Sequence, residues 1–129
     1  MTDLKWRDAY NCRNPVIDKQ HRHLFELAGQ METRLAAGDR PGAEAAMKAL
    51  VEYVGYHFFS EEMILAQQCP DCYPAHCDEH DAIRGYLAAI WDRREDMTLE
   101  EAAEHMAKWI GKHVLEGDKD LKCHFEAAG

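Results

Sequence analysis

The sequence predicts an all-α protein: an up-down-up-down antiparallel four-helix bundle with an N-terminal arm and a short C-terminal helix. Three observations predict it. Val, Ile and Thr number only 12 of 129 residues, so β-formers are scarce. Four segments carry apolar or histidine residues at steps of three and four, the spacing of one buried helix face. The breaks between these segments are short, which sets neighbouring helices antiparallel.

Taken in order, residues 1–14 read as an arm packed along the bundle through Trp6 and Tyr10. The first helix, 15–37, has the seam Ile17, His21, Leu24, Ala28, Met31 and Leu35. Gly38-Asp39-Arg40-Pro41-Gly42 breaks it. The second, 41–67, carries Ala43, Met47, Leu50, Val54, His57, Glu61 and Ile64, and Cys69-Pro70-Asp71-Cys72-Tyr73-Pro74 follows. The third, 74–94, carries His76, His80, Ile83, Leu87 and Ile90. Thr98 with Glu101 forms a capping box that opens the fourth, 98–117, whose seam is Leu99, Ala102, Met106, Trp109 and His113. Gly117 interrupts the chain there, and 118–126 reads as the short tail helix. No solenoid-length repeat or low-complexity run is present, and the whole reads as a single domain over 1–129.

Composition narrows the function. Leu, Ile, Val and Phe total only 23 residues, while Ala, Met, Trp, Tyr and Cys bring the apolar share to 47%. The aliphatic core is lean, and something besides it must help to hold the fold. A net charge of −9 excludes a generic nucleic-acid binder, which needs a basic patch for phosphates. No apolar run reaches the ~18 residues of a membrane span, and the first ten residues lack a signal-peptide pattern. Five cysteines, an odd number without a disulfide framework, suggest a reducing cytoplasm. Cys69 and Cys72 form a C-x-x-C without the context of a redox or zinc motif and, with Cys77, read as reduced thiols at the loop.

The seams hold the wrong residues for an ordinary core. His21, His57, Glu61, His76, His80 and His113 all occupy them. Each such group buried without a partner costs about 1–3 kcal/mol, so a shared partner inside the bundle is indicated, and a metal centre is the natural one. His57 and Glu61 are four apart on one helix, and His76 and His80 repeat that spacing on the next. Asp118 follows His113 by five, which aligns only if the helix loosens or ends near Gly117. Five imidazoles, two bridging carboxylates and a bridging oxide or hydroxide supply eleven of the twelve bonds that two octahedral ions take, leaving one position for a small ligand. His23, His105 and His124 fall off or beyond the seams and read as surface residues.

Four motifs stand in order on separate helices: Ile17-Asp18-Lys19-Gln20-His21, His57-Phe58-Phe59-Ser60-Glu61-Glu62, His76-Cys77-Asp78-Glu79-His80, and Trp109-Ile110-Gly111-Lys112-His113 running on to Gly117-Asp118. In these the sequence resembles hemerythrins, and specifically the stand-alone bacterial ones. The resemblance implies a non-haem centre of two iron ions (Fe2+/Fe3+) with a bridging oxide or hydroxide that binds dioxygen reversibly. It places His76, His80 and His113 on one iron, His21 and His57 on the other, and Glu61 and Asp118 across both. Trp109 and Ile110 match pocket-lining positions, with Phe58 and Val114 as further wall. The implied role is oxygen storage, delivery or buffering and not catalysis. Azide and nitric oxide are further ligands of suitable size. Alternatives are a sensor of oxygen, redox state or nitric oxide, a di-iron peroxidase or nitric oxide detoxifying enzyme, and a zinc-loaded or iron-storing protein.

Overall fold

The computed structural model describes residues 6, 7, 10, 12 and 14–114. Among them are four α-helices and no strand: α1 (Pro15–Ala36), α2 (Arg40–Gln68), α3 (Tyr73–Asp92) and α4 (Leu99–Lys112), with a 3-10 turn at Arg94–Asp96. α1 packs on α2, α2 on α3, α3 on α4, and α4 closes the ring onto α1. With connections of only a few residues, this is the expected antiparallel bundle. No helix is long and apolar enough to cross a membrane among the described residues.

Local chemistry sets each helix end. Asn14 opens α1: its side-chain oxygen accepts the N–H groups of Val16 (3.0 Å) and Ile17 (3.2 Å), and Pro15 follows, where no amide is needed. α1 stops at a Schellman turn. Gly38 takes φ +77°, its N–H bonds to the Leu35 carbonyl, and the Asp39 N–H bonds to that of Arg34. Asp39 then caps α2 by accepting the Gly42 N–H at 3.0 Å, which starts this helix one residue earlier than expected. α3 ends at Asp92, short of the expected 94, where the chain tightens into the 3-10 turn. The Arg94 guanidinium there donates to the Trp91 carbonyl (2.7 Å) and to Glu44 on α2 (2.9 Å). Thr98 caps α4 as expected, its hydroxyl accepting the Glu101 N–H at 3.0 Å.

Two apolar clusters fill the bundle. The larger includes Leu24, Met31, Met47, Leu50, Val54, Phe58, Ile83, Leu87, Met106 and Ile110. The smaller, at the other end, has Cys12, Ile17, Leu65 and Cys69. Along α1, α2 and α3 the residues His21, Glu61, His76 and His80 lie between the two clusters in sequence, and His57 and His113 join them from within the larger one, as a polar layer across the bundle. Of the expected arm, Trp6 and Tyr10 pack edge-on against Phe25 with ring centroids 5.6 and 5.8 Å away, and the Cys12 N–H donates to the buried Asp18 carboxylate at 2.7 Å. The expected tail helix over 118–126 lies outside the described residues.

One expectation is corrected. Cys69 and Cys72 are not reduced loop thiols: a disulfide joins them across the α2–α3 connection. The two residues between them bring the end of one helix and the start of the next within bonding distance, with Cα atoms 5.3 Å apart. Cys77 remains a thiol, and these two cysteines no longer argue for a reducing compartment.

Candidate metal centre

Each helix contributes to the polar layer by its own periodicity. His21 comes from α1, His57 and Glu61 from successive turns of α2, His76 and His80 from successive turns of α3, and His113 from the end of α4. His21, His57, Glu61, His80 and His113 are fully buried, and His76 is 8% exposed. The Glu61 carboxylate is the hub. On one oxygen, Oε1, His80 Nε2 sits at 3.1 Å. Around the other, Oε2, lie His57 Nε2 at 3.1 Å, His21 Nε2 at 3.5 Å and His113 Nε2 at 3.7 Å. One carboxylate thus faces donors from all four helices, the geometry asked of a bridging ligand. The His76 ring lies 5.9 Å from that of His80 on the Oε1 side.

The placement of His113 differs in detail from what the resemblance implies. It stands around Oε2 with His21 and His57, its Nε2 at 3.0 Å from His57 Nε2. Its ring centroid is 5.2 Å from both His57 and His80, so it sits between the two donor groups. The last described residues, His113 and Val114, form a wider π-type turn. Such a turn bonds i to i+5, the change that the His113–Asp118 spacing calls for. Asp118 itself lies outside the described residues.

Electrostatics suits metal binding. Burial is the main reason the His57 pKa falls to about 4, against the partial opposition of Glu61. This imidazole is therefore neutral, with a lone pair to give. Burial alone would raise the Glu61 pKa, but the surrounding imidazoles, His113 first among them with His21 and His57, outweigh it and hold the group well below the ordinary carboxylate value. Atoms of His21, His57, Glu61 and His113 all fall within 4.8 Å of one another, a donor set a metal ion fits. Mixed imidazole and carboxylate ligation suits iron.

The surroundings reveal residues that sequence reasoning missed. The Gln20 side-chain oxygen accepts the Nδ1–H of His57 at 2.8 Å, with Gln20 only 6% exposed. That bond puts the ring proton on the outer nitrogen and aims Nε2 inward. Glu62 Oε1 stands 3.5 Å from His80 Nδ1, and the other oxygen, Oε2, is held by Arg84 at 2.9 Å. The only signal for either was adjacency to a ligand, since neither lies on a seam.

The expected wall residues divide. Phe58 is fully buried and stacks face to face on the His80 ring at 3.9 Å, with His113 at 4.8 Å. Ile110 and Val114 are buried as well. Trp109 is half-buried, its ring stacked on Tyr86 of α3 at 4.2 Å with the Lys112 ammonium 4.9 Å above it. His23 and His105 lie away from the centre: His23 pairs with Glu26 at 3.3 Å on the surface, and His105 is exposed.

The Hemerythrin HHE cation binding domain family matches residues 14–125. The chain belongs to the hemerythrin family. Its relatives include bacteriohemerythrins of Methylococcus capsulatus (27% identical over 92% of this chain and 94% of that protein) and Clostridium acetobutylicum (26%, over 89% and 95%). Another is the bacteriohemerythrin of Aquifex aeolicus (26%, over 81% and 84%). No solved structure matches the chain. It is a hemerythrin-type metal-binding domain, in a family that binds dioxygen and is generally not enzymatic. Hemerythrin domains bind a di-iron centre, and the buried histidine and glutamate cluster fits one.

Proposed function

We propose that the chain binds dioxygen reversibly at a non-haem di-iron centre, for oxygen storage, delivery or buffering. The observation that carries the reading is four fully buried histidines, one from each helix, gathered around the fully buried carboxylate of Glu61. His21, His57, Glu61, His76, His80, His113 and Asp118 would hold two iron ions, with Glu61 and Asp118 bridging. When bound, the irons would supply electrons and a place for a small ligand. The chain supplies the rest. Gln20 keeps the His57 proton on the outer nitrogen. Phe58 lies against His80 and His113, and with the buried Ile110 and Val114 it would keep the centre dry. A donor set rich in imidazole and poor in carboxylate favours binding over oxygen activation.

The test is an anaerobic-to-air titration of the iron-loaded protein. A visible absorption band that appears with air and disappears on degassing is expected. Irreversible oxidation, or turnover of peroxide or nitric oxide, would replace this reading with an enzymatic one. The ligand set is checked by iron stoichiometry in His57→Ala and Asp118→Ala. Both variants should bind less than the parent, and unchanged iron in both would remove the assignment.

A further inference from the structure

We propose that Cys69 and Cys72 are a reversible dithiol/disulfide couple that sets the start of α3, and with it the seat of His76. The inference goes beyond oxygen binding and does not depend on it. It begins with the one α-helix start among the described residues that lacks a side-chain cap. Asn14, Asp39 and Thr98 cap α1, α2 and α4, whereas α3 opens after Cys72 with no side-chain cap bond. What holds this start is the disulfide, with Pro74 in the first turn and two turn hydrogen bonds at the loop: Cys72 N–H to the Cys69 carbonyl (2.9 Å) and Tyr73 N–H to that of Pro70 (3.4 Å).

Both half-cystines are built into helix ends. The Cys69 N–H closes α2 on the Leu65 carbonyl at 2.8 Å, and its side chain is 7% exposed among Ile17 and Leu65. The Cys72 carbonyl accepts the N–H of His76 at 3.2 Å, closing the first turn of α3. The bond therefore ties the helix of His57 and Glu61 to the helix of His76 and His80, one turn from the metal layer. Opening it leaves α3 to begin on backbone turns and Pro74 with no side-chain cap, and His76, with no intervening turn, is the first donor to feel it.

Access to the two sulfurs is unequal. Cys69 is buried, Cys72 is half-buried, and Pro70 and Asp71 between them are exposed. A small or protein dithiol reductant would thus attack Cys72. Its thiolate forms a mixed disulfide with the Cys72 sulfur and expels the Cys69 thiolate, which takes a proton. The second thiol of the reductant then attacks its own sulfur in the mixed disulfide, giving up its proton and releasing Cys72, which is protonated. Two electrons and two protons pass to the chain, and the reductant leaves as a disulfide. Reoxidation is the same exchange in reverse.

The experiment poises the full iron-loaded chain, without oxygen, in buffers of graded reduced to oxidised dithiothreitol. Thiols are counted by alkylation and mass, and backbone opening by amide hydrogen exchange. Two additional alkylated cysteines should appear at the reducing end and vanish on return to the oxidising end, while the chain stays folded. Amides of 73–80 should exchange about tenfold faster in the dithiol form, the scale expected for releasing so short a covalent loop, with α1 and α4 unchanged. The Cys72→Ser variant should show the fast exchange in every buffer. A bond that reduces only when the chain unfolds, or equal exchange at 73–80 in both forms, overturns the proposal. Thiol counts do not require oxygen binding, so this failure is distinct from failure of the oxygen reading.

Discussion

The Gln20–His57 pair shows what one hydrogen bond does in this centre. An imidazole can present either nitrogen, and a buried ligand must have that choice made for it. Gln20, on α1, makes it for a histidine on α2 by accepting the Nδ1–H at 2.8 Å. Gln20→Leu should lower iron affinity about 10–100-fold, read by competition with a chelator. A change within about twofold would show that packing alone aims the His57 ring. The buried histidines and Glu61 were legible in the sequence because each stands where a seam should be apolar, as His57 and Glu61 do after Val54. Gln20 was not legible, because its role exists only across the gap between two helices. The Cys69–Cys72 disulfide escaped for a similar reason: spacing permits such a bond, and only the placement of two helix ends makes it.

At the scale of the element, periodicity located all four helices, and the helix ends up to the start of α4 moved by a residue or two according to local hydrogen bonds, while the expected end of α4 at 117 lies outside the described residues. Asp39 illustrates this. The expected start of α2 was 41, yet the Asp39 cap begins the helix at Arg40. Composition could flag these residues as turn formers but could not rank them. Thr98→Ala should cost about 1 kcal/mol in denaturant unfolding, because the Glu101 N–H loses its acceptor. Two glycines should respond with opposite signs. Gly38 sits at φ +77°, so Gly38→Ala should destabilise by about 1–2 kcal/mol. Gly55 lies inside α2 with open space where a Cβ would stand, so Gly55→Ala should stabilise by roughly 0.5–1 kcal/mol. Equal shifts for the two in the same melting experiment would mean that helix ends, and not helix interiors, are misassigned.

Across the whole molecule, the polar layer and the lean core are two sides of one arrangement. Only 23 of 129 residues are Leu, Ile, Val or Phe, and fully buried positions that could have extended the apolar clusters hold His21, His57, Glu61, His80 and His113 instead. These side chains draw donors from all four helices onto one point, so a metal there ties together elements that the apolar clusters hold only on either side. Binding that is specific to the folded chain adds stability as RT ln(1 + [L]/Kd), about 2.7 kcal/mol at a hundredfold excess over Kd. For a domain of this size that is a melting shift of about 10 °C. Metal removal by a chelator should therefore lower the melting temperature by at least that much, and re-addition of iron should restore it. His57→Ala should melt close to the metal-free parent and gain little from iron, because the layer can no longer be drawn together. A metal-free parent that melts with the loaded one would show that the two apolar clusters suffice, and that the buried histidines are held by one another.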